Sequence, residues 1–242
     1  MLANWPKRGV RLKQGSPSYY PGSGGSERPR GIESAGQADV AASRVDQPKR
    51  KRSRLEPTIA AVTERPLETF LTLVLEDSDR ALAAAHRELY PERIPEGIPL
   101  SLTLLYPWIP AAEVTGEDLD RLQVFFAGRP HLSFDLARVA EFPGAVVYAA
   151  PEPDDELRAT MRALWTLYPD YPPYGRPGND PAPHATLGRL EGDYAITFEQ
   201  ARALVEPLLP VHCDIREATL MEEFAPDRLR IRETFALGSR TE

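Results

Sequence analysis

The sequence contains little of the residue types that form disulfides or hold metals. Its single cysteine, Cys213, excludes an internal disulfide and predicts a cytoplasmic protein, because disulfides persist mainly in oxidising compartments. There are four histidines. No group of cysteines and histidines has metal-ligand spacing, and no Gly-rich phosphate loop is present. We therefore expect neither a metal nor a cofactor.

Long apolar runs are also missing. None approaches the ~20 residues that a membrane helix needs. The first residues lack the apolar core of a signal peptide. We expect a soluble monomer without a membrane partner.

Lysine is rare, and its distribution reveals an uneven charge. All four lysines lie within the first 51 residues. Residues 1–65 carry 13 basic and 6 acidic side chains, whereas the rest carries 16 and 30, so the net charges are +7 and −14. Binding of long nucleic acid is dominated by basic contacts to phosphates, so the acidic part argues against it. A short nucleotide end held in a cleft remains compatible.

The 25 prolines are about a tenth of the chain, against a usual ~5%. Residues 1–65 are rich in Gly, Ser, Pro and basic residues without a sustained period, which predicts a disordered tail. Its basic run at 48–54 is typical of a nuclear-localisation or nucleic-acid patch, of an ordinary solvated tail, or of an upstream start codon that extends the chain. Residues 66–242 are the predicted folded domain.

Hydrophobic periodicity over 66–242 predicts alternating strands and helices. Strands are expected at 69–75, 100–106, 131–136, 145–149, about 211–222 and about 229–237, with another at His184. Helices are expected at 80–89, 118–126, 154–167 and 197 to about 208. Their predicted N-caps are one of Asp77, Ser78 and Asp79 for the first, Thr115 or Glu117 for the second, and Thr197 for the last. A turn is expected at 95–97. This order indicates an internal duplication.

Two strands carry the candidate chemistry. His184 and Thr186 lie two apart, so an extended strand presents an imidazole and a hydroxyl on one face. The imidazole exchanges protons near neutral pH, and the hydroxyl can hydrogen-bond a phosphate. Thr103 stands two residues after Ser101, which occupies the place of a matching histidine. In the predicted duplication, 83 positions separate Ser101 from His184.

A combination of motifs resembles the 2'-5' RNA ligase-like branch of the 2H phosphoesterase superfamily. These motifs are Gly97-Ile98-Pro99-Leu100-Ser101-Leu102-Thr103-Leu104-Leu105-Tyr106-Pro107-Trp108, Tyr171-Pro172-Pro173-Tyr174-Gly175 and Pro183-His184-Ala185-Thr186-Leu187. The resemblance covers about residues 66–242.

The resemblance implies an α+β fold, with two pseudo-symmetric lobes of antiparallel sheet and outer helices around a central cleft. It also implies metal-independent chemistry on 2',3'-cyclic or 2'-5' phosphodiester ends, with a small nucleotide or RNA end as the partner. His184, Thr186 and Thr103 match the family's catalytic positions. Ser101 replaces the first histidine, and serine is no proton carrier at neutral pH without an activating base.

Further candidates come from the residues near these motifs. Arg176, in the long loop 168–181, and Arg189 can contact a phosphate, although strict alternation points Arg189 to the opposite face. Tyr106 and Tyr174 can stack on a base or simply pack. The remaining histidines are His86, His131 and His212. His131 is an alternative for the role absent at Ser101, and the other two are expected to be structural or on the surface.

Three functions stay open on the sequence alone. The first is an active phosphodiesterase in which His184 is acid or base and water or Ser101 fills the other role. The second is a nucleotide or RNA-end binding module of the same fold without turnover. The third is a scaffold that binds a protein through its basic tail.

Overall fold

A computed structural model describes residues 65–75, 78–178 and 180–238. The predicted tail, apart from Arg65, and its basic run at 48–54 lie outside the described residues. The strands are β1 Thr69–Val74, β2 Ser101–Leu105, β3 Leu132–Phe142, β4 Val146–Glu152, β5 Ala185–Arg189, β6 Val211–Ile215, β7 Glu217–Ala225 and β8 Arg228–Ala236. The helices are α1 Arg80–Leu89, α2 Arg93–Glu96, α3 Gly116–Ala127, α4 Asp155–Leu167 and α5 Phe198–Val205.

The strands form one eight-stranded sheet in the order β6-β3-β4-β5-β2-β1-β7-β8. Every pair of neighbouring strands is antiparallel. The sheet curls into a half-barrel, and its two halves of four strands meet where β2 pairs with β5. The predicted α+β class and its two lobes are therefore confirmed, and the lobes are halves of one continuous sheet.

Local capping explains where the longer helices begin. The carboxylate of Asp79 accepts a hydrogen bond from the Leu82 N–H at 2.8 Å. Thr115 and Thr197 each form a capping box with the residue three positions later. Such side chains satisfy backbone donors that the first helical turn leaves unpaired. The N-caps expected at these three positions are confirmed.

The core lies between the helices and one face of the sheet. Alternate residues of the central strands are fully buried there, as Leu71 and Leu73 show in β1 and Leu102 in β2. The apolar stripe of α4 packs into this core, and the indole of Trp165 donates a hydrogen bond to the Leu104 carbonyl at 2.8 Å. Because strand side chains alternate, the intervening residues of β2 and β5 point away from the core.

The structure corrects three element predictions. The strand expected at 211–222 is two strands, because β6 pairs with β3 in one half while β7 pairs with β1 in the other, and the chain changes partner at Arg216. β3 extends to Phe142 rather than ending at 136, since its register shifts between Leu136 and Arg138 and interrupts the alternation. The turn expected at 95–97 overlaps the short helix α2.

In the described parts of the chain, no helix is long and apolar enough to cross a membrane.

Candidate functional site

The pairing of β2 with β5 brings the two predicted motifs together. Leu102 lies opposite Ala185, and both side chains are 0% exposed and face the core. Their neighbours in sequence therefore point to the other face of the sheet, where each is half-buried. We call these four side chains the central quartet, which consists of Ser101, Thr103, His184 and Thr186.

The register decides which members of the quartet are neighbours. Continuing the antiparallel pairing by one residue on each side places Ser101 opposite Thr186 and Thr103 opposite His184. Directly opposed residues have Cβ atoms about 4.5–5.5 Å apart, and diagonal pairs about 7–8 Å. Three hydroxyls and one imidazole thus lie next to one another on the same face of the paired strands. The structure brings together all four residues that the sequence singled out as catalytic, and their roles stay predictions.

The orientation of His184 determines which ring nitrogen can react. Nδ1 lies 2.7 Å from the carbonyl oxygen of Ala182. A carbonyl can only accept, so Nδ1–H donates and Nε2 of the neutral ring is left as a proton acceptor. The ring also packs edge-on against Phe142 and Tyr148, with centroids 5.1 and 5.5 Å away. Burial lowers the pKa of His184 below its usual value. Burial thus favours a neutral imidazole, which is suited to act as a base.

The face that carries the quartet continues onto β4 and β3. Tyr148 lies opposite Thr186, and Ala140 lies opposite Tyr148. One row further, the pairing of Ala149 with Ala185 places Ala150 beside His184, and Arg138 lies opposite Ala150. Arg138 and Tyr148 are therefore on the site face, within two strands of the motif on β5.

Sequence reasoning missed both residues. Arg138 lies just beyond the register shift in β3, where the predicted strand had already ended. Tyr148 lies in a correctly predicted strand, but its position beside Thr186 depends on the pairing of β4 with β5. Along β3 the alternation of apolar and polar residues resumes after a one-residue interruption, and this pattern is the signal that could have revealed Arg138.

On the other side of the quartet, the cross-strand neighbours on β1 offer no substitute proton carrier. Val74 lies opposite Ser101, and Thr72 lies opposite Thr103. The Thr72 hydroxyl already donates to the Leu102 carbonyl at 2.9 Å. Neither valine nor threonine exchanges a proton near neutral pH, so neither neighbour can replace a histidine, and water or Ser101 stay the candidates for this role.

The other histidines lie elsewhere. His86 is buried in α1, with 4% of its surface exposed. His212 is exposed on the edge strand β6, where its Nδ1 lies 2.8 Å from Asp135 Oδ1. His131 precedes β3 at the end where that strand meets the end of β6. Because β4 and much of β3 separate His131 from the quartet, it cannot replace the histidine absent at Ser101.

The Pro-Pro-Tyr-Gly loop docks beside the end of β2. The Tyr174 N–H donates to the Tyr106 carbonyl at 2.6 Å, and the two rings lie 6.1 Å apart. The Tyr106 hydroxyl in turn donates to Glu68 at 2.7 Å. Arg176 follows in the same loop and is half-buried. The loop is thus anchored next to the first motif, while substrate contacts from Tyr106, Tyr174 and Arg176 stay predictions.

Arg189 takes part in a contact with α1. Its Nε donates to the Tyr90 hydroxyl at 2.8 Å, and Tyr90 is only 2% exposed. This bond holds the side chain against the C-terminal end of α1. The predicted role of Arg189 in substrate binding is not tested by this contact and stays a prediction.

Within the described ranges, no group of three or more His, Cys, Asp or Glu side chains is placed to hold a metal ion.

Comparison with known proteins places this geometry in a family. A family model described as the 2'-5' RNA ligase superfamily matches residues 75–224. The chain belongs to the 2'-5' RNA ligase superfamily. The matched range includes both motifs, so the resemblance inferred from them is confirmed.

Several solved structures are similar to this superfamily member. A crystal structure of a phosphoesterase is 21% identical, with 72% of this chain and 100% of that chain covered and a TM-score of 0.48. Escherichia coli LigT complexed with NADP+ is 20% identical, with 73% and 100% covered and a TM-score of 0.48. TT0787 of Thermus thermophilus is 20% identical, with 72% and 100% covered and a TM-score of 0.45. A search of curated proteins gave no match.

Proposed function

We propose that this protein is a phosphodiesterase that hydrolyses 2',3'-cyclic phosphate or 2'-5' linked nucleotide ends by metal-independent acid/base catalysis. The observation that supports it most is the central quartet, in which one imidazole with a fixed tautomer lies beside three hydroxyls on two paired strands. Membership of the 2'-5' RNA ligase superfamily supports the same reaction class.

In the proposed reaction, the phosphate lies over the quartet. The hydroxyls of Thr103 and Thr186 donate hydrogen bonds to its non-bridging oxygens, where negative charge accumulates in the transition state. Nε2 of His184 takes a proton from a water molecule, and the water oxygen forms a new bond to phosphorus. The bond from phosphorus to the ribose oxygen breaks, and this oxygen takes a proton from a second water held by Ser101. The hydroxide so formed is neutralised, through solvent, by the proton that His184 carries, which returns His184 to its neutral form. The product is a phosphomonoester.

The serine at position 101 sets the expected rate. A positioned proton-transfer group contributes about 10²- to 10⁴-fold to a rate. Because water is a weak acid, we expect turnover to be slower by this factor than it would be with histidine at position 101. The acid/base assignment follows from the hydrogen bond to Ala182, which leaves Nε2 of His184 unprotonated.

The test is hydrolysis of 2',3'-cyclic nucleotides by the full chain and by two histidine variants. The proposal predicts turnover by the parent, loss of about 10²-fold or more in His184→Ala, and little change in His212→Ala. His212 is a matched control because it is an exposed imidazole on the edge strand β6. Equal activity in His184→Ala and the parent would reject the proposal.

A second candidate is a nucleotide or RNA-end binding module that has lost turnover. The residue that favours it is Ser101, because the proton carrier expected there is absent. This candidate predicts that 2'- or 3'-mononucleotides bind to the parent while no cyclic nucleotide is hydrolysed. Turnover that depends on His184 would exclude it.

A further inference from the structure

A cavity of about 530 Å³ lies beside His184, on the side away from Ser101. Its floor includes Ala150, which stands between His184 and Arg138 in the cross-strand row. Ala150 is smaller than His184 and Arg138 on either side of it, so a hollow remains above its methyl group. The cavity falls within the usual ~300–1,000 Å³ range of small-molecule sites.

One wall of the cavity is aromatic and is shared with the catalytic histidine. Phe142 and Tyr148 line the cavity, and their rings lie 4.5 Å apart at 30°. The edges of both rings meet the ring of His184. Aromatic side chains of this kind form the stacking surface on which proteins hold nucleobases.

The lining also includes charged side chains that are held in pairs. Arg138 Nε lies 3.0 Å from Glu152 Oε1, and Arg158 Nε donates to Asp154 at 2.8 Å. Asp155 is a further carboxylate of the lining. Three carboxylates outnumber the two guanidinium groups here, so this part of the lining disfavours binding of a second, negatively charged phosphate. Carboxylates are, however, suitable acceptors for the amino group of a base such as cytosine.

From this arrangement we propose that the cavity holds the nucleobase of the nucleotide whose phosphate lies over the central quartet, and that it prefers bases with an exocyclic amino group over uracil. This inference rests on the proposed function. The base would lie over Ala150, stack on Tyr148, and donate from its amino group to Glu152.

Cytosine and uracil offer a sharp test, since the two bases have nearly the same size. They differ in the group that would contact Glu152, which is an amino group in cytosine and a carbonyl oxygen in uracil. For the full chain, we expect kcat/KM for 2',3'-cyclic CMP to exceed that for 2',3'-cyclic UMP by on the order of tenfold. Glu152→Gln should bring the two values close together, because an amide can also donate to the uracil oxygen. Equal values in the parent would overturn the stated preference.

Filling the cavity tests its occupancy independently of base identity. Ala150→Leu should raise KM for both nucleotides by about tenfold or more, because the added atoms occupy the space of the base. The methyl riboside of ribose 2',3'-cyclic phosphate has no base, so its KM should rise far less than that of the two nucleotides. Ala236→Leu is the matched control, since Ala236 is an exposed strand alanine on β8. Thermal unfolding of each variant shows whether it is folded.

The two proposals fail in different ways. If the parent hydrolyses the methyl riboside and the nucleotides with the same KM, the base site is overturned while the phosphodiesterase stands. If no substrate is hydrolysed, calorimetry with 3'-CMP, 3'-UMP and the methyl riboside 3'-phosphate decides the base site alone. Tighter binding of 3'-CMP than of the other two, lost in Ala150→Leu, would then support it, and equal binding of all three would overturn it.

Discussion

His86 provides a prediction about stability whose size follows from its surroundings. Its imidazole is 4% exposed within α1, and Nδ1 has no hydrogen-bond partner among the described residues. Burial, reinforced by the positive charges of Arg93 and Arg87, lowers the pKa of His86 from 6.5 to about 4. The folded protein therefore keeps this ring neutral in a pH range where the unfolded chain protonates it.

The sign and the magnitude follow from proton linkage. Between pH 6.5 and pH 4 the unfolded state binds a proton that the folded state does not, so the free energy of unfolding decreases as the pH falls. Each pKa unit corresponds to about 1.4 kcal/mol, so His86 should remove about 3 kcal/mol over this range. Below pH 4 it should have little further effect, since both states are then protonated.

The variant His86→Leu isolates this contribution, because leucine is of similar size and does not titrate. Urea unfolding at pH 7, 6, 5 and 4.5 should show the variant gaining stability relative to the parent by about 2–3 kcal/mol as the pH falls. At pH 7 the two should differ by less than about 1.5 kcal/mol. His212→Leu, at an exposed histidine, is the control and should change by less than about 1 kcal/mol.

A parallel loss would refute this reasoning. If the free energies of unfolding of His86→Leu and the parent fall by the same amount from pH 7 to pH 4.5, then His86 is not held neutral in the folded protein. The placement of His86 inside α1 against Tyr90 would then be wrong.

Three further substitutions have expected outcomes. Ser101→His restores a proton carrier to the first motif, so kcat for a 2',3'-cyclic nucleotide should rise by about 10²-fold, and an unchanged kcat would count against the quartet as the reacting site. Gly97→Ala should lower the free energy of urea unfolding by about 2 kcal/mol or more, because Gly97 has φ +80° and an added Cβ would lie 2.6 Å from the Leu229 carbonyl oxygen. Thr115→Ala removes a capping box from α3 and should cost about 1 kcal/mol in the same assay, whereas no loss would mean that this cap is not formed in solution.

Features that depend on neighbouring residues in the chain could be predicted from the sequence. The first turn of α1 needs an acceptor for its free N–H groups, and Asp79 provides one within three residues. The alternation around Leu102 and Ala185 likewise placed each motif on one face of a strand. The sequence linked the Ser101 motif to the His184 motif only through the family resemblance and the predicted internal duplication.

Features that depend on strand pairing could not be predicted in this way. Nothing in the sequence at Arg216 shows that β6 and β7 join opposite halves of the sheet, because both segments have strand-like composition. Arg138 and Tyr148 come near His184 only through the register of β3, β4 and β5. The cavity over Ala150 is a consequence of the same register.

The dependence of kcat/KM on pH, measured with a 2',3'-cyclic nucleotide and the full chain, tests the central claim most directly. The account predicts that kcat/KM changes little at neutral pH and decreases as the pH falls below 6.5, because the neutral Nε2 of His184 is the base and burial lowers its pKa. An activity that rises as the pH falls through 6.5 would show that a protonated group does the work. That result, or the absence of any turnover, would contradict the account.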